Sequence, residues 1–193
     1  GTIYGMANTV SGFIPLVCTL NCAKVTDLFA KILNVSIHEF GELALKGSNK
    51  ANRPILIPWI DGERTPNRPQ DRATFHQIDN TFSRFDVARA AFEGVIFGIV
   101  SAIEKFEKFN IPIKRLIVTG GGSNSPAYLQ FLADVMQMPV HLAEIKDAAA
   151  TGIAIQAAAL VTNQPVRDLV NQWTPELSAS IKPRTDQNTK EVL

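Results

Sequence analysis

An apolar run, Leu116-Ile-Val118, passes through Thr119 into three consecutive glycines, Gly120, Gly121 and Gly122, and then into Ser123-Asn124-Ser125-Pro126. No other stretch of the chain restricts the fold as tightly. An apolar strand that stops at glycine and restarts behind a capping Ser and a first-position Pro is a strand–turn–helix unit. Glycine permits positive φ and lets a ligand lie directly on the backbone. The helix start behind the turn offers unpaired N–H groups and the positive end of a dipole. Gly120, Gly121, Gly122, Ser123, Asn124 and Ser125 are therefore the candidate seat for a nucleotide or anion, with a ligand-free tight turn as the alternative.

The spacing narrows the kind of nucleotide. A phosphate loop of the GxxxxGK[ST] type needs a Lys, and none follows this turn. A dinucleotide-binding reading stays open. Gly120-x-Gly122-x-x-Ser125 comes close to G-x-G-x-x-G/A, and Glu144 lies where a ribose-binding acid would sit. Ser in the third position departs from that pattern.

The rest of the chain reads as alternating strands and helices. Val25, Leu28, Phe29, Ile32 and Leu33 predict a helix over Cys22–Leu33, with Asn21 as its cap and Asn34 as its stop. Ser36 with Glu39 forms a capping-box pattern, as does Ser83 with Asp86 before the longest apolar periodicity, Val87 to Ile103. Short strands are predicted at Ile55–Trp59, Ala73–Ile78, Arg115–Thr119 and Val140–Leu142, with helices at Ser125–Met136 and Asp147–Val161. Asp61–Arg72 reads as an exposed loop whose Arg64, Arg68 and Arg72 are offset by Glu63 and Asp71. Beyond Trp173 the chain turns polar, which predicts a loosely held tail. The order is that of an α/β protein with a partly parallel sheet.

Composition removes several classes. With 193 residues the chain can bury a core as one large domain, or a domain plus an appendage. A net charge of +1 gives no electrostatic case for a nucleic-acid or membrane-surface partner. Two cysteines cannot make a disulfide framework, which points to the cytoplasm, and Cys18 and Cys22 read as buried thiols. His38, His76 and His141 are scattered and receive no chemistry, and Met136 and Met138 read as core. The chain opens on Gly1, and its first residues read as the middle of something longer.

Several segments together resemble the FGGY carbohydrate kinases, of the actin, hexokinase and heat-shock ATPase superfamily. The glycine turn is similar to their adenosine-binding turn. Ala73, Phe75 and Ile78, then Asp86, Val87, Ala90, Ala91, Phe92 and Glu93, match their second signature; Gln77 stands where the family has Gly. Ile57-Pro-Trp-Ile-Asp-Gly-Glu-Arg-Thr-Pro66 resembles a loop of the xylulokinase branch, and the small-residue run Asp147 to Ala158 resembles a helix near the nucleotide.

The resemblance implies an α/β fold, the C-terminal half of the actin/hexokinase/heat-shock ATPase (ribonuclease H-like) kinase fold, with a mixed sheet flanked by helices. It implies a nucleotide-binding domain over 1–170, a polar tail over 171–193, and an N-terminal sugar-binding domain absent from this chain. The activity implied is ATP- and Mg²⁺-dependent phosphorylation of D-xylulose to D-xylulose 5-phosphate by the full-length protein, with this part inactive alone. The base that deprotonates the sugar belongs to the missing part, so no catalytic residue and no Mg²⁺ ligand is carried over. A phosphate loop would precede the domain, where this chain has Gly1-Thr2-Ile3. The partners implied are that N-terminal kinase domain and the ketose, with a homodimer left open. An NAD-binding unit and a stand-alone regulatory domain for adenine nucleotides remain the alternatives.

Overall fold

The computed structural model describes residues 4–8, 10, 12–145, 147–174 and 176–184. The chain begins with an antiparallel pair, β1 (Tyr4–Ala7) and β2 (Phe13–Leu16), and Gly1-Thr2 lies outside the described residues. Helices α1 (Ala23–Ile32) and α2 (Ile37–Leu45) follow, then a second antiparallel pair, β3 (Ile55–Ile57) with β4 (Thr74–His76). Helix α3 (Arg84–Glu107) leads into β5 (Leu116–Val118), α4 (Pro126–Met136) and β6 (Val140–Ala143). Helices α5 (Ala148–Thr162) and α6 (Val166–Trp173) and strand β7 (Leu177–Ile181) complete the order.

Helix α3 is the axis of the core. Both capping boxes read from the sequence are formed, Ser36 with Glu39 and Ser83 with Asp86, so α2 and α3 start where expected. From Ala88 to Ile96 nearly every α3 side chain is buried, because α1, α2, α4 and β3 pack on different sides of it. An added Cβ at Gly94 would stand 2.5 Å from the carbonyl oxygen of Leu56, so β3 can approach the helix this closely only over glycine. Phe92 stacks on Phe40 at 5.6 Å and tilts against Phe131 at 6.1 Å. Met136 and Met138 pack against this core, as expected.

The three-stranded sheet has the order β5-β6-β7, parallel between β5 and β6 and antiparallel between β6 and β7. It is thus mixed, as the fold class predicts. Helix α6 crosses the boundary expected at 170, and strand β7 lies wholly in the segment read as a polar tail, of which 175 and 185–193 fall outside the described residues. β7 is ordered by edge pairing with β6 and by Arg184, whose Nε donates to Asp134 at 2.8 Å. The strand does leave a short trace, since Leu177, Ala179 and Ile181 alternate with Ser178 and Ser180, but it is masked by the polar residues on either side.

Three local expectations need correction. Asn21 does not cap α1; the structural cap position is Cys22, which makes no side-chain cap bond. The Asn21 amide instead donates to Gly62 O and Glu63 Oε2 and accepts from Ile60 N. Leu28 and Ile32 are exposed, since α1 buries the stripe Val25, Thr26, Phe29 and Ala30 against its neighbours. Cys18 and Cys22 are free thiols but only half-buried.

The Asp61–Arg72 loop is also less exposed than its composition predicts, for Gly62, Glu63 and Thr65 are buried. Glu63 holds them there. Its Oε1 accepts from Leu20 N, Arg64 N and Thr65 N, and its Oε2 from Asn21. Glu63 therefore serves the backbone rather than the arginines. Arg68 stands 4.0 Å from Asp71, and Arg72 donates to the carbonyls of Gln70 and Asp71.

Burial pushes the Glu63 carboxyl up, but the Asn21 amide and the three N–H donors outweigh it and hold the group below its ordinary value of 4.5. A carboxylate with a depressed folded pKa contributes stability that is present above its unfolded value and lost as pH falls through the folded one. Denaturant midpoints should accordingly hold steady down to about pH 5 and decline below it. Glu63→Gln should flatten that decline and lower the neutral-pH stability by about 1–3 kcal/mol, because one N–H group then faces N–H donors. Parallel acid profiles for the two proteins would refute the assignment.

Candidate functional site

The strand–turn–helix unit is built as its residues predict. β5 ends at Val118, and Gly120 takes φ +77° with ψ −161°, a conformation that excludes a side chain without strain. Gly121–Asn124 forms one 3₁₀ turn, closed by Ser123, whose N and Oγ both donate to Gly120 O at 3.0 and 2.7 Å. Ser125 is the N-cap of α4, accepting from Tyr128 N at 3.3 Å, and Pro126 occupies the first helical position.

The six candidate residues divide by role. A Cβ built on Gly120 or Gly121 meets no atom within 4 Å, whereas one on Gly122 would stand 3.4 Å from the Tyr128 ring. Gly120, Gly121, Ser123 and Asn124 line an open pocket of about 470 Å³. Gly122 packs inward on Tyr128, and Ser125 caps the helix. Burial, with the Cys22 thiol as a lesser influence, pushes the Tyr128 phenol up to about 12, so it stays protonated at neutral pH.

The opposite wall of the pocket is Ala143, Glu144 and Ile145, at the end of β6. Because β5 and β6 are parallel neighbours, the loops leaving their C-terminal ends open at the same sheet edge. Sequence spacing reached Glu144 only through the dinucleotide reading. Ala143 and Ile145 were missed, although the parallel pairing of the strands carries them there. Among the described residues, no group of three or more His, Cys, Asp or Glu side chains could hold a metal.

The geometry of a βαβ turn with an acid at its second strand suits either a dinucleotide or a kinase's nucleotide. Comparison with known proteins separates the two. The FGGY family of carbohydrate kinases, C-terminal domain, matches residues 23–161. The xylulose kinase of Streptomyces coelicolor is 29% identical over 174 residues, which is 90% of this chain and 34% of that protein. The xylulose kinase of Haemophilus influenzae is 31% identical over 156 residues, 80% of this chain and 32% of its own.

This chain therefore spans about a third of the length of these relatives. In structure, the xylulose kinase from Bifidobacterium adolescentis superposes with a TM-score of 0.79 at 28% identity, over 98% of this chain and 37% of that one. The likeness bears out the expected fold, the C-terminal half of the actin/hexokinase/heat-shock ATPase kinase architecture. Neither an NAD-binding unit nor a stand-alone regulatory domain finds support among these proteins. The second neighbour of β6 is also antiparallel, where a dinucleotide fold would continue in parallel.

Proposed function

Because this chain belongs to the FGGY family of carbohydrate kinases, by its C-terminal domain, we propose that it is the ATP-binding part of a cytoplasmic kinase that phosphorylates D-xylulose. The observation that carries the reading is the bare backbone of Gly120 and Gly121 beside the pocket at the end of β5. A nucleoside can lie flat there, since no protein atom occupies the place of a Cβ. Ser123 and Asn124 border the same space and would fix the nucleoside's orientation by hydrogen bonding. Glu144, whose negative charge disfavours phosphate, would turn the triphosphate away from the β6 wall.

Bound ATP supplies a γ-phosphoryl group for in-line transfer to a sugar hydroxyl, a reaction in which catalysis is largely positioning and charge stabilisation. This chain's share is to hold and aim the nucleotide. Mg²⁺ would enter on the ATP phosphates, and the reading assigns it no ligand among the residues of this chain. The base and most sugar contacts belong to an N-terminal kinase domain, the partner this reading requires. Exposed apolar side chains support a covering partner: Phe13 on β2 is 77% exposed, and Leu160 and Val161 on α5 are 85% and 86%.

The test has two arms. ATP titrated into this chain should bind with a Kd of about 1 mM, one wall of a cleft contributing ~4 kcal/mol. The full-length parent should release ADP only with a ketose, D-xylulose best among pentuloses and hexuloses, while this chain alone should release none. Tighter binding of NAD than of ATP, or D-xylulose-dependent turnover by this chain alone, would overturn the reading.

A further inference from the structure

A second pocket, of about 350 Å³, opens where the segment 46–54 meets the start of α3, and its lining shares no residue with the glycine-turn pocket. Arg53 forms its inner wall. The side chain is only 7% exposed, with Nε donating to Glu93 Oε2 at 2.7 Å and Nη1 to Lys50 O at 3.3 Å. Arg89 donates to the other oxygen of the same carboxylate, also at 2.7 Å. Two guanidinium groups thus share one carboxylate, and the trio keeps a positive charge in a largely dehydrated position. A buried charge of this kind is costly unless a counter-charge reaches it.

The rim adds to that charge. Lys46 and Lys50 line the pocket and form no ion pair among the described residues, and the N-terminal turn of the 24-residue α3 lies beside them at Ser83 and Phe85. Two carboxylates are present as well, and both are engaged. Asp86 accepts from Ser48 N through Oδ1 and from Ser83 N and Oγ through Oδ2. Asp79 Oδ1 accepts from Thr81 N and Oγ1, which favours its ionised form, and Lys50 acts on it electrostatically, as Arg89 does on Asp86.

From Arg53, whose Nη2 makes no hydrogen bond among the described residues, and the rim lysines Lys46 and Lys50, we infer that this pocket binds a phosphate monoester dianion. A phosphate monoester presents three oxygens and two charges to one guanidinium edge and two ammonium groups, where a carboxylate or a monovalent ion presents fewer. The site is independent of the nucleotide reading, as it uses none of the same residues.

Calorimetry with inorganic phosphate, on the whole 193-residue chain at constant ionic strength, tests this. Saturable binding in the millimolar range is expected. The double variant Lys46→Gln/Lys50→Gln changes only exposed side chains, so it should fold normally and weaken phosphate by about tenfold or more. Its ATP affinity should be unchanged, and Gly121→Val should bind phosphate like the parent chain. No saturable binding, binding that survives the double lysine variant, or binding lost in Gly121→Val would each overturn the site.

Discussion

Gly121→Val should leave the chain folded and abolish nucleotide binding. The structure sharpens the reason. Gly121 is not in the left-handed region, and a Cβ there meets nothing within 4 Å, so valine brings neither backbone strain nor a clash with protein. Its two methyl groups would stand in the pocket, where the nucleoside is proposed to lie. Circular dichroism and the thermal midpoint should match the parent within a few degrees, while the ATP isotherm loses its saturation. Ser125→Ala provides the contrast. It removes an N-cap, at a cost of about 1 kcal/mol, and touches a residue that does not line the pocket, so stability should fall while affinity largely holds. Unchanged ATP affinity in a folded Gly121→Val protein would make the triple glycine an ordinary turn and remove the main support for the proposed function.

How far this could be read from sequence depends on the range of the interaction concerned. The caps at Ser36, Ser83 and Ser125 join residues three apart, so the local order of residues is enough to place them. The glycine turn was legible for the same reason. Asn21 was misplaced because its partners, Gly62 and Glu63, lie about forty residues on, and a polar residue before an apolar stripe has the form of a cap. Burial of Glu63 inside a Pro- and Arg-rich loop was hidden by the same long-range bonds. Gln77 shows a departure from the family pattern gaining a physical meaning. Its φ is +58°, in the region that favours glycine, so the Gly of related kinases suits a backbone that this chain adopts with a side chain in place. The far wall of the pocket follows from β5 and β6 pairing in parallel, which the strand–helix–strand order implies, but which residues beyond β6 reach it depends on how that strand ends.

The largest expected loss of stability comes from Glu93, which in the sequence stands out only as the final acid of a signature. It is 6% exposed and holds Arg53 and Arg89 through its two oxygens, while Arg89 also donates to Gly47 O and lies 5.2 Å over the Phe131 ring. The three charges tie the segment 47–53 to α3 and, through Phe131, to α4. Glu93→Gln keeps the shape but strands two buried guanidinium groups, and breaking a buried pair in this way costs about 3–5 kcal/mol. Against a domain stability of about 5–15 kcal/mol, urea unfolding should shift to a far lower midpoint, with exposure of the 46–54 segment to protease at concentrations the parent tolerates. Charge, rather than volume, is the cause proposed. The triple replacement Arg53→Met/Arg89→Met/Glu93→Leu should therefore recover most of the midpoint, since apolar side chains of similar size avoid the dehydration that an ion trio requires. If Glu93→Gln unfolds at the parent's midpoint, the trio is not a structural tie. If the triple replacement is as unstable as Glu93→Gln, the loss comes from packing, and the uncompensated charge on Arg53 and Arg89 is not its source.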